Sequence, residues 1–338
     1  MNSKKIVVLG TGGTIAGRAS QAGDNIGYKA GEVGVAQLIA GIPVPTGMSL
    51  MSEQVAQIDS KDMTHTVWRD LLARVAYHLS QADIDGVLIT HGTDTLEETA
   101  VFLQLALASS GLLRKPVVMT CAMRPATALV PDGPQNMADA LAVLGHLAEA
   151  QTHDPCTCLQ VMAVCAGLVH GAMDVQKQNP YRVDAFSSGE KGALGVVEEG
   201  AVRWSRNIGF NWPSRFIPWT QFAINSILAA QAWPRVEILL SHADADGRWV
   251  DLLLDDAIRH PAHAMSALVI ATTGNGTIHQ ALMASIERAL AAGIYVMRAS
   301  RCAFGQIVAG AGEALPDSEG LNPVKARVAL QLKLLHQP

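Results

Sequence analysis

Apolar residues fall along this chain in two alternating kinds of block. Short runs, almost wholly apolar, Ile6-Val7-Val8-Leu9, Gly86-Val87-Leu88-Ile89, Val117-Val118-Met119-Thr120 and the segment from Leu159 to Val164, are rich in β-branched residues. Runs that are apolar at almost every position predict strands buried on both faces, as in a parallel sheet. Between them apolar residues recur at helical spacing, and Val67, Leu71, Leu72, Val75 and Leu79 predict a helix over 64–81. Further helices are predicted over 33–39, 96–109 and 136–149. Glu97 and Glu98 stand in the first turn of the second, where the helix dipole favours acid. Val55 to Ile58 alternates as a strand. This alternation of strand and helix predicts an α/β fold, with a larger N-terminal parallel-sheet domain over 1–206 carrying helices on both faces. The stretch 187–200 is broken by glycine, and 207–233, with Pro213 and Pro218 and no period, reads as a linker. The alternation then resumes in a smaller C-terminal α/β domain over 234–338. Strands are predicted there at 236–240, 267–271 and 294–297, and helices near 250–258, 277–291 and 323–335.

Composition narrows the function classes. With 338 residues, 49% of them apolar, the chain can bury one large or two medium cores. A net charge of −5 and the lack of a basic run argue against nucleic acid as partner. No apolar run is long enough to cross a bilayer, so no membrane is expected. The first strand begins within about five residues of the start, which predicts no signal peptide and a cytoplasmic location. The five cysteines, Cys121, Cys156, Cys158, Cys165 and Cys302, are odd in number and read as reduced thiols. Cys156-x-Cys158 and His260-x-x-His263 lack a metal-ligand context, so no metal is expected.

The candidate chemistry gathers at strand ends, just beyond which ligands bind in open α/β sheets. The first strand runs into Gly10-Thr11-Gly12-Gly13-Thr14-Ile15-Ala16-Gly17. Gly10 and Gly12 begin a dinucleotide-type spacing, but Ile15 holds the place of the third glycine. Gly12 and Gly17 have the spacing of a phosphate loop, but Arg18 and Ala19 follow instead of lysine and a hydroxyl. A plain structural turn with incidental threonines is the third reading of this stretch. Other strand ends carry Asp59 and Ser60, then Thr93 and Asp94, then Cys121 and Ala122, and neighbouring strands would bring these tips into one polar crevice. Residues 18–31 form a small, polar loop that would serve as a lid, with the lone aromatic Tyr28 in it. His91 is either a general base or a side chain completing a hydrogen bond at the sheet end. No Gly-x-Ser-x-Gly elbow marks an ordinary α/β-hydrolase.

Thr11-Gly12-Gly13-Thr14-Ile15-Ala16-Gly17, together with Thr90-His91-Gly92-Thr93-Asp94-Thr95-Leu96-Glu97-Glu98-Thr99, resembles the paired signature of the bacterial L-asparaginase family, which includes glutaminase-asparaginases. The resemblance continues in order through Ala122-Met123-Arg124-Pro125, Asp132-Gly133-Pro134, Asp174-Val175-Gln176-Lys177, Thr273-Gly274-Asn275-Gly276 and Leu321-Asn322-Pro323-Val324-Lys325-Ala326-Arg327. It implies an L-asparagine amidohydrolase working through a threonine acyl-enzyme, without a cofactor, and with L-glutamine as a side substrate. It implies Thr14 as nucleophile, Tyr28 as the lid tyrosine that contacts it, and Thr93, Asp94 and Lys177 as a hydrogen-bonded catalytic set. Ser60, Lys61, Thr93, Asp94, Ala122 and Asn275 fall at substrate-contacting positions. A homotetramer, built as a dimer of dimers, is implied as well, each site being completed by the neighbour's smaller domain. Asn275 matches a neighbour contact, and Glu313 is the best candidate for the neighbour's acid in a divergent stretch. Lys61 is a departure, since secreted members usually carry Gln beside the serine. A cation there would meet the substrate carboxylate, Asp59 or Asp62, and the expectation is altered affinity and a changed glutamine-to-asparagine ratio. A non-catalytic amino-acid sensor on the same scaffold is the alternative.

Overall fold

The apolar runs become neighbouring strands. The computed structural model describes residues 3–21, 23–108, 110–150, 160–209, 224–308, 310 and 315–336. In chain order the described elements are β1 (Lys4–Gly12), β2 (Arg18–Ala19), β3 (Tyr28–Lys29), α1 (Val35–Ala40), β4 (Met48–Ile58), α2 (His65–Ser80), β5 (Gly86–Thr90), α3 (Leu96–Ala108), β6 (Val117–Thr120), α4 (Gly133–Ala150), β7 (Met162–Cys165), β8 (Leu168–Gly171), β9 (Gln176–Lys177), β10 (Phe186–Ser187), β11 (Gly195–Glu198) and β12 (Ala201–Trp204). They continue with α5 (Ile224–Ala229), β13 (Val236–Leu240), α6 (Arg248–Arg259), β14 (Ala267–Thr272), α7 (Gln280–Ala291), β15 (Tyr295–Ser300) and α8 (Pro323–His336). Contacts divide the chain into two units, Met1–Leu228 and Ala229–Pro338. Much of the linker expected over 207–233 lies outside the described residues.

The first unit is built on an eight-stranded sheet of order β12-β11-β8-β7-β6-β5-β1-β4. From β4 to β7 the strands are parallel, and β1 lies between β4 and β5. Successive strand residues face opposite sides. Ile6, Val8, Leu88, Val118 and Val164 share one core with Met137, Leu141 and Leu144 of α4 and Val35 of α1. Val7, Leu9, Val87 and Ile89 are equally buried and face the other way, the side of α2 and α3. Helix α2 starts where predicted because the Thr64 hydroxyl caps it, accepting the Val67 N–H at 3.3 Å.

The sheet is not parallel throughout. Strands β8, β11 and β12 add antiparallel pairs at one edge. They are joined by two-residue turns in which Ala166 and Gly167, and again Glu199 and Gly200, all take positive φ. The second unit carries a three-stranded parallel sheet, β13-β14-β15. Val250 of α6 and Leu282 and Ile286 of α7 pack on Leu268, Ile270 and Val296 there. Among the described residues no helix is long and apolar enough to cross a membrane.

Candidate active site

The end of β1 turns in a way only glycine makes easily. Gly12 and Gly13 have φ of 100° and 81°. A Cβ on Gly13 would land on the backbone of Gly92, and a Cβ on Gly92 would land on the Ser60 side chain. The ends of β1, β4 and β5 therefore touch more closely than side chains permit. This contact brings Thr14, Ser60 and Thr93, each next to or part of it, to one place.

Thr14 opens the short 3₁₀ turn Thr14–Ala16 and is 7% exposed. Its hydroxyl lies 2.7 Å from the phenolic oxygen of Tyr28. Tyr28 is held by the β2–β3 pairing of Ala19 with Tyr28, and its ring covers Gly17.

The second cluster is centred on Lys177, on β9, which pairs with β10. Its Nζ donates to Thr93 Oγ1 at 2.9 Å and to Asp94 Oδ1 at 2.6 Å. The Lys177 side chain is mostly buried, whereas that of Asp94 is half exposed. Ser60 Oγ accepts the Asp94 backbone N–H at 3.1 Å, and the Ser60 carbonyl accepts the Thr95 hydroxyl at 2.8 Å. Because Ser60 Oγ is the acceptor, its own hydrogen is left to donate. Asp59 caps this turn by accepting the Lys61 N–H. Two hydroxyls, each bonded to a group that exchanges protons, thus stand on touching backbone tips, with an anion and a donor hydroxyl beside them. That arrangement suits acyl transfer from a small molecule bearing both charges.

The remaining predicted residues behave differently. Lys61 Nζ lies 2.5 Å from Asp62 and 3.6 Å from Asp59. Of its expected partners it therefore meets the two acids of its own turn. Its hydrogen bond with Asp62 raises its pKa. The side chain of Ala122 packs in the core with Ile15, leaving only its backbone for a ligand. Asn275 belongs to the second unit, where it braces a loop, donating to the Val308 carbonyl at 3.0 Å and accepting the Val308 N–H at 2.8 Å. Glu313 lies outside the described residues, as do Cys156 and Cys158. Cys121, Cys165 and Cys302 are free thiols. His91 is fully buried and its Nδ1 meets the Gly92 carbonyl at 2.7 Å. Of its two expected roles, the sheet-end hydrogen bond is the one observed. Among the described residues no group of three or more His, Cys, Asp or Glu side chains is placed to hold a metal ion.

Two polar groups that support the site, partly buried Asp132 and buried Asn136, have no role assigned to them from the sequence. The Asp132 carboxylate accepts the N–H groups of Met123 and Arg124, both at 2.9 Å, and so holds the chain just after Ala122. Asn136 donates to the Cys121 carbonyl and accepts the Ala166 N–H, both at 2.9 Å, tying the ends of β6 and β7 together. The signal for Asp132 was the Asp-Gly-Pro motif, and Asn136 follows it by one helical turn.

Comparison with known proteins agrees over the whole length. The family model for the asparaginase N-terminal domain matches residues 5–209, and that for the glutaminase/asparaginase C-terminal domain matches residues 235–337. The chain is 33% identical over 333 residues to L-asparaginase 2 of Bacillus subtilis, covering 97% of this chain and 82% of that one. It is also 33% identical over 338 residues to the glutaminase-asparaginase of Pseudomonas fluorescens, covering 97% and 86%. The crystal structure titled as a probable cytoplasmic L-asparaginase from Campylobacter jejuni superposes with a TM-score of 0.84 at 34% identity, covering 99% of this chain and 96% of that one. With both domain models matched in order around the paired threonine tips, the chain belongs to the asparaginase family.

Proposed function

We propose that this protein hydrolyses the side-chain amide of L-asparagine to L-aspartate and ammonia, with side activity on L-glutamine. The observation that carries the reading is the pair of threonine hydroxyls on touching tips, Thr14 bonded to Tyr28 and Thr93 bonded to Lys177. Thr14 Oγ1 attacks the amide carbon and releases its proton through Tyr28 to the departing nitrogen. The C–N bond breaks, ammonia leaves, and an aspartyl ester remains on Thr14. Water held by Thr93 attacks the ester, and its proton returns to Thr14 Oγ1 as L-aspartate leaves. Backbone N–H groups at the glycine turn and at Thr93 hold the oxyanion. Asp94 takes the substrate's α-ammonium, Ser60 takes its α-carboxylate, and Ala122 contributes through its backbone.

The reading extends to quaternary structure and place. The working unit is a homotetramer, a dimer of dimers, in which Asn275 of a neighbouring copy completes each site, and the location is the cytoplasm. Support for the location comes from the Campylobacter jejuni relative, described as a probable cytoplasmic L-asparaginase.

Ammonia release from L-asparagine and L-glutamine over a concentration series, on wild type and Thr14→Ala, tests the reaction. Wild type is expected to turn over and Thr14→Ala to lose at least about a thousandfold in kcat. Near wild-type turnover by Thr14→Ala would remove Thr14 as nucleophile. Tight amino-acid binding by a wild type that releases no ammonia would make the protein a sensor.

A further inference from the structure

His91 stands one residue past the end of β5 and takes no part in the chemistry above. Its backbone N–H carries the β5–β6 ladder one step further, donating to the Thr120 carbonyl at 2.9 Å. Its imidazole is wholly buried, and Nδ1 lies 2.7 Å from the Gly92 carbonyl oxygen. A carbonyl oxygen only accepts, so Nδ1 carries the hydrogen and Nε2 bears the lone pair. That Nε2 is buried and has no partner among the described residues. Burial pushes the imidazole pKa down to about 4, so the ring stays neutral. A ring sealed from solvent, with its basicity lowered this far, is no general base. An unpaired buried acceptor carries a desolvation penalty. What the ring gains in return is the bond at Nδ1.

That bond sets the direction of a peptide plane. In a trans peptide the carbonyl of one residue and the N–H of the next point in opposite directions. Among the described residues no peptide is cis. With the Gly92 carbonyl turned inward to the buried ring, the Thr93 N–H turns outward, away from the core. Glycine's backbone freedom makes rotation of this plane cheap unless something holds it. We infer that His91 is a positioning residue, whose Nδ1–H grips the Gly92 carbonyl and thereby aims the Thr93 backbone N–H at the crevice as an oxyanion donor. The inference rests on the amide-hydrolysis reading above, since it assigns one donor of that reaction to a hold exerted from the core side.

The test compares His91→Asn, whose Nδ2–H stands where Nδ1–H stood, with His91→Leu, which has no donor, and His91→Gln, whose amide reaches the Nε2 position instead. His91→Asn is expected to keep kcat for L-asparagine within about threefold. His91→Leu and His91→Gln are expected to lose about a hundredfold in kcat, with KM within about twofold. Equal losses in Asn and Leu, or a loss carried by KM, would overturn the inference. Crystal structures of wild type and His91→Gln give a readout that does not depend on activity. The Gly92–Thr93 peptide is expected to rotate in the variant, and an unmoved plane would overturn the inference. If wild type releases no ammonia, the amide-hydrolysis reading fails on its own, while the plane still reports whether His91 holds it.

Discussion

Acidification should destabilise this protein through one buried ring, and the size of the effect follows from where the ring sits. His91 is fully buried, and its pKa falls from the ordinary 6.5 to about 4 in the folded chain. Between those two values the unfolded chain binds a proton that the folded chain refuses. Stability therefore falls as pH drops through the unfolded value, and the loss is complete below the folded one. Going from pH 8 to pH 5, the ratio of the two proton-binding polynomials gives a loss of about 2 kcal/mol from this residue alone. Below pH 4 the loss approaches about 3.4 kcal/mol. Other groups also lose stability on acidification. Glu53, held low by Arg74, and Asp174, ion-paired with Lys191 and Arg206, are two of them, in the lower carboxylate window.

A comparison with His91→Asn removes those shared contributions, because asparagine does not titrate and keeps the donor to Gly92. Urea unfolding followed by tryptophan fluorescence, at pH 8 and pH 5 and one protein concentration, gives four midpoints and slopes. Wild type should lose about 2 kcal/mol more than His91→Asn between the two pH values. A difference below about 1 kcal/mol would mean that the folded protein protonates this ring near its ordinary pKa. The fixed neutral tautomer assigned to His91 would fall with it.

Gly92→Ala should cost about 3 kcal/mol or more, or prevent folding, because its Cβ would land on both Cβ and Oγ of buried Ser60 and crowd the Gly13 backbone. Soluble Gly92→Ala with wild-type melting would show that the tips of β4 and β5 are not in contact. Lys61→Gln should raise KM for L-asparagine about twofold at low salt with kcat unchanged, since it leaves Asp59 and Asp62 uncompensated beside Ser60. Kinetics at low and at 0.5 M salt check this, and a KM that is unchanged at low salt would make Lys61 a bystander. The ratio of L-glutamine to L-asparagine specificity constants, measured on the same two proteins, shows whether Lys61 also sorts substrates.

What could be read from the amino acids tracks how local each contact is. The sequence marks helix α2 and strand β5 to within a residue or two, since their burial writes a 3.6-residue or an unbroken apolar pattern into the chain. For strand β4 the alternation marks only Val55–Ile58, although the strand begins at Met48. It is the sheet's edge, so its outer residues are not forced to be apolar and the pattern fades. The antiparallel strands β8, β11 and β12 leave no strand pattern in the sequence, and β11 lies in the glycine-broken stretch 187–200. Each is only four residues long, and their turns are Ala-Gly and Glu-Gly, without the Asn-Gly or Asp-Gly signal of a tight hairpin.

The site divides along the same line. Thr14 meets Tyr28 across 14 positions, where the residues alone mark a glycine-rich turn and a lone aromatic in a lid loop and the resemblance joins the two. Lys177 meets Thr93 across 84 positions, from a two-residue strand with no periodicity of its own. Only the resemblance pointed to it. The contact between Gly13 and Gly92 explains why the two halves of the signature belong together. A Cβ on Gly13 would land on the Gly92 backbone, and one on Gly92 would land on Ser60 and crowd the Gly13 Cα, so neither can acquire a side chain without disturbing the tips that carry Thr14 and Thr93. A rule about spacing within either motif cannot express that. It is a packing condition between them, and it makes the paired motif more specific than the sum of its parts.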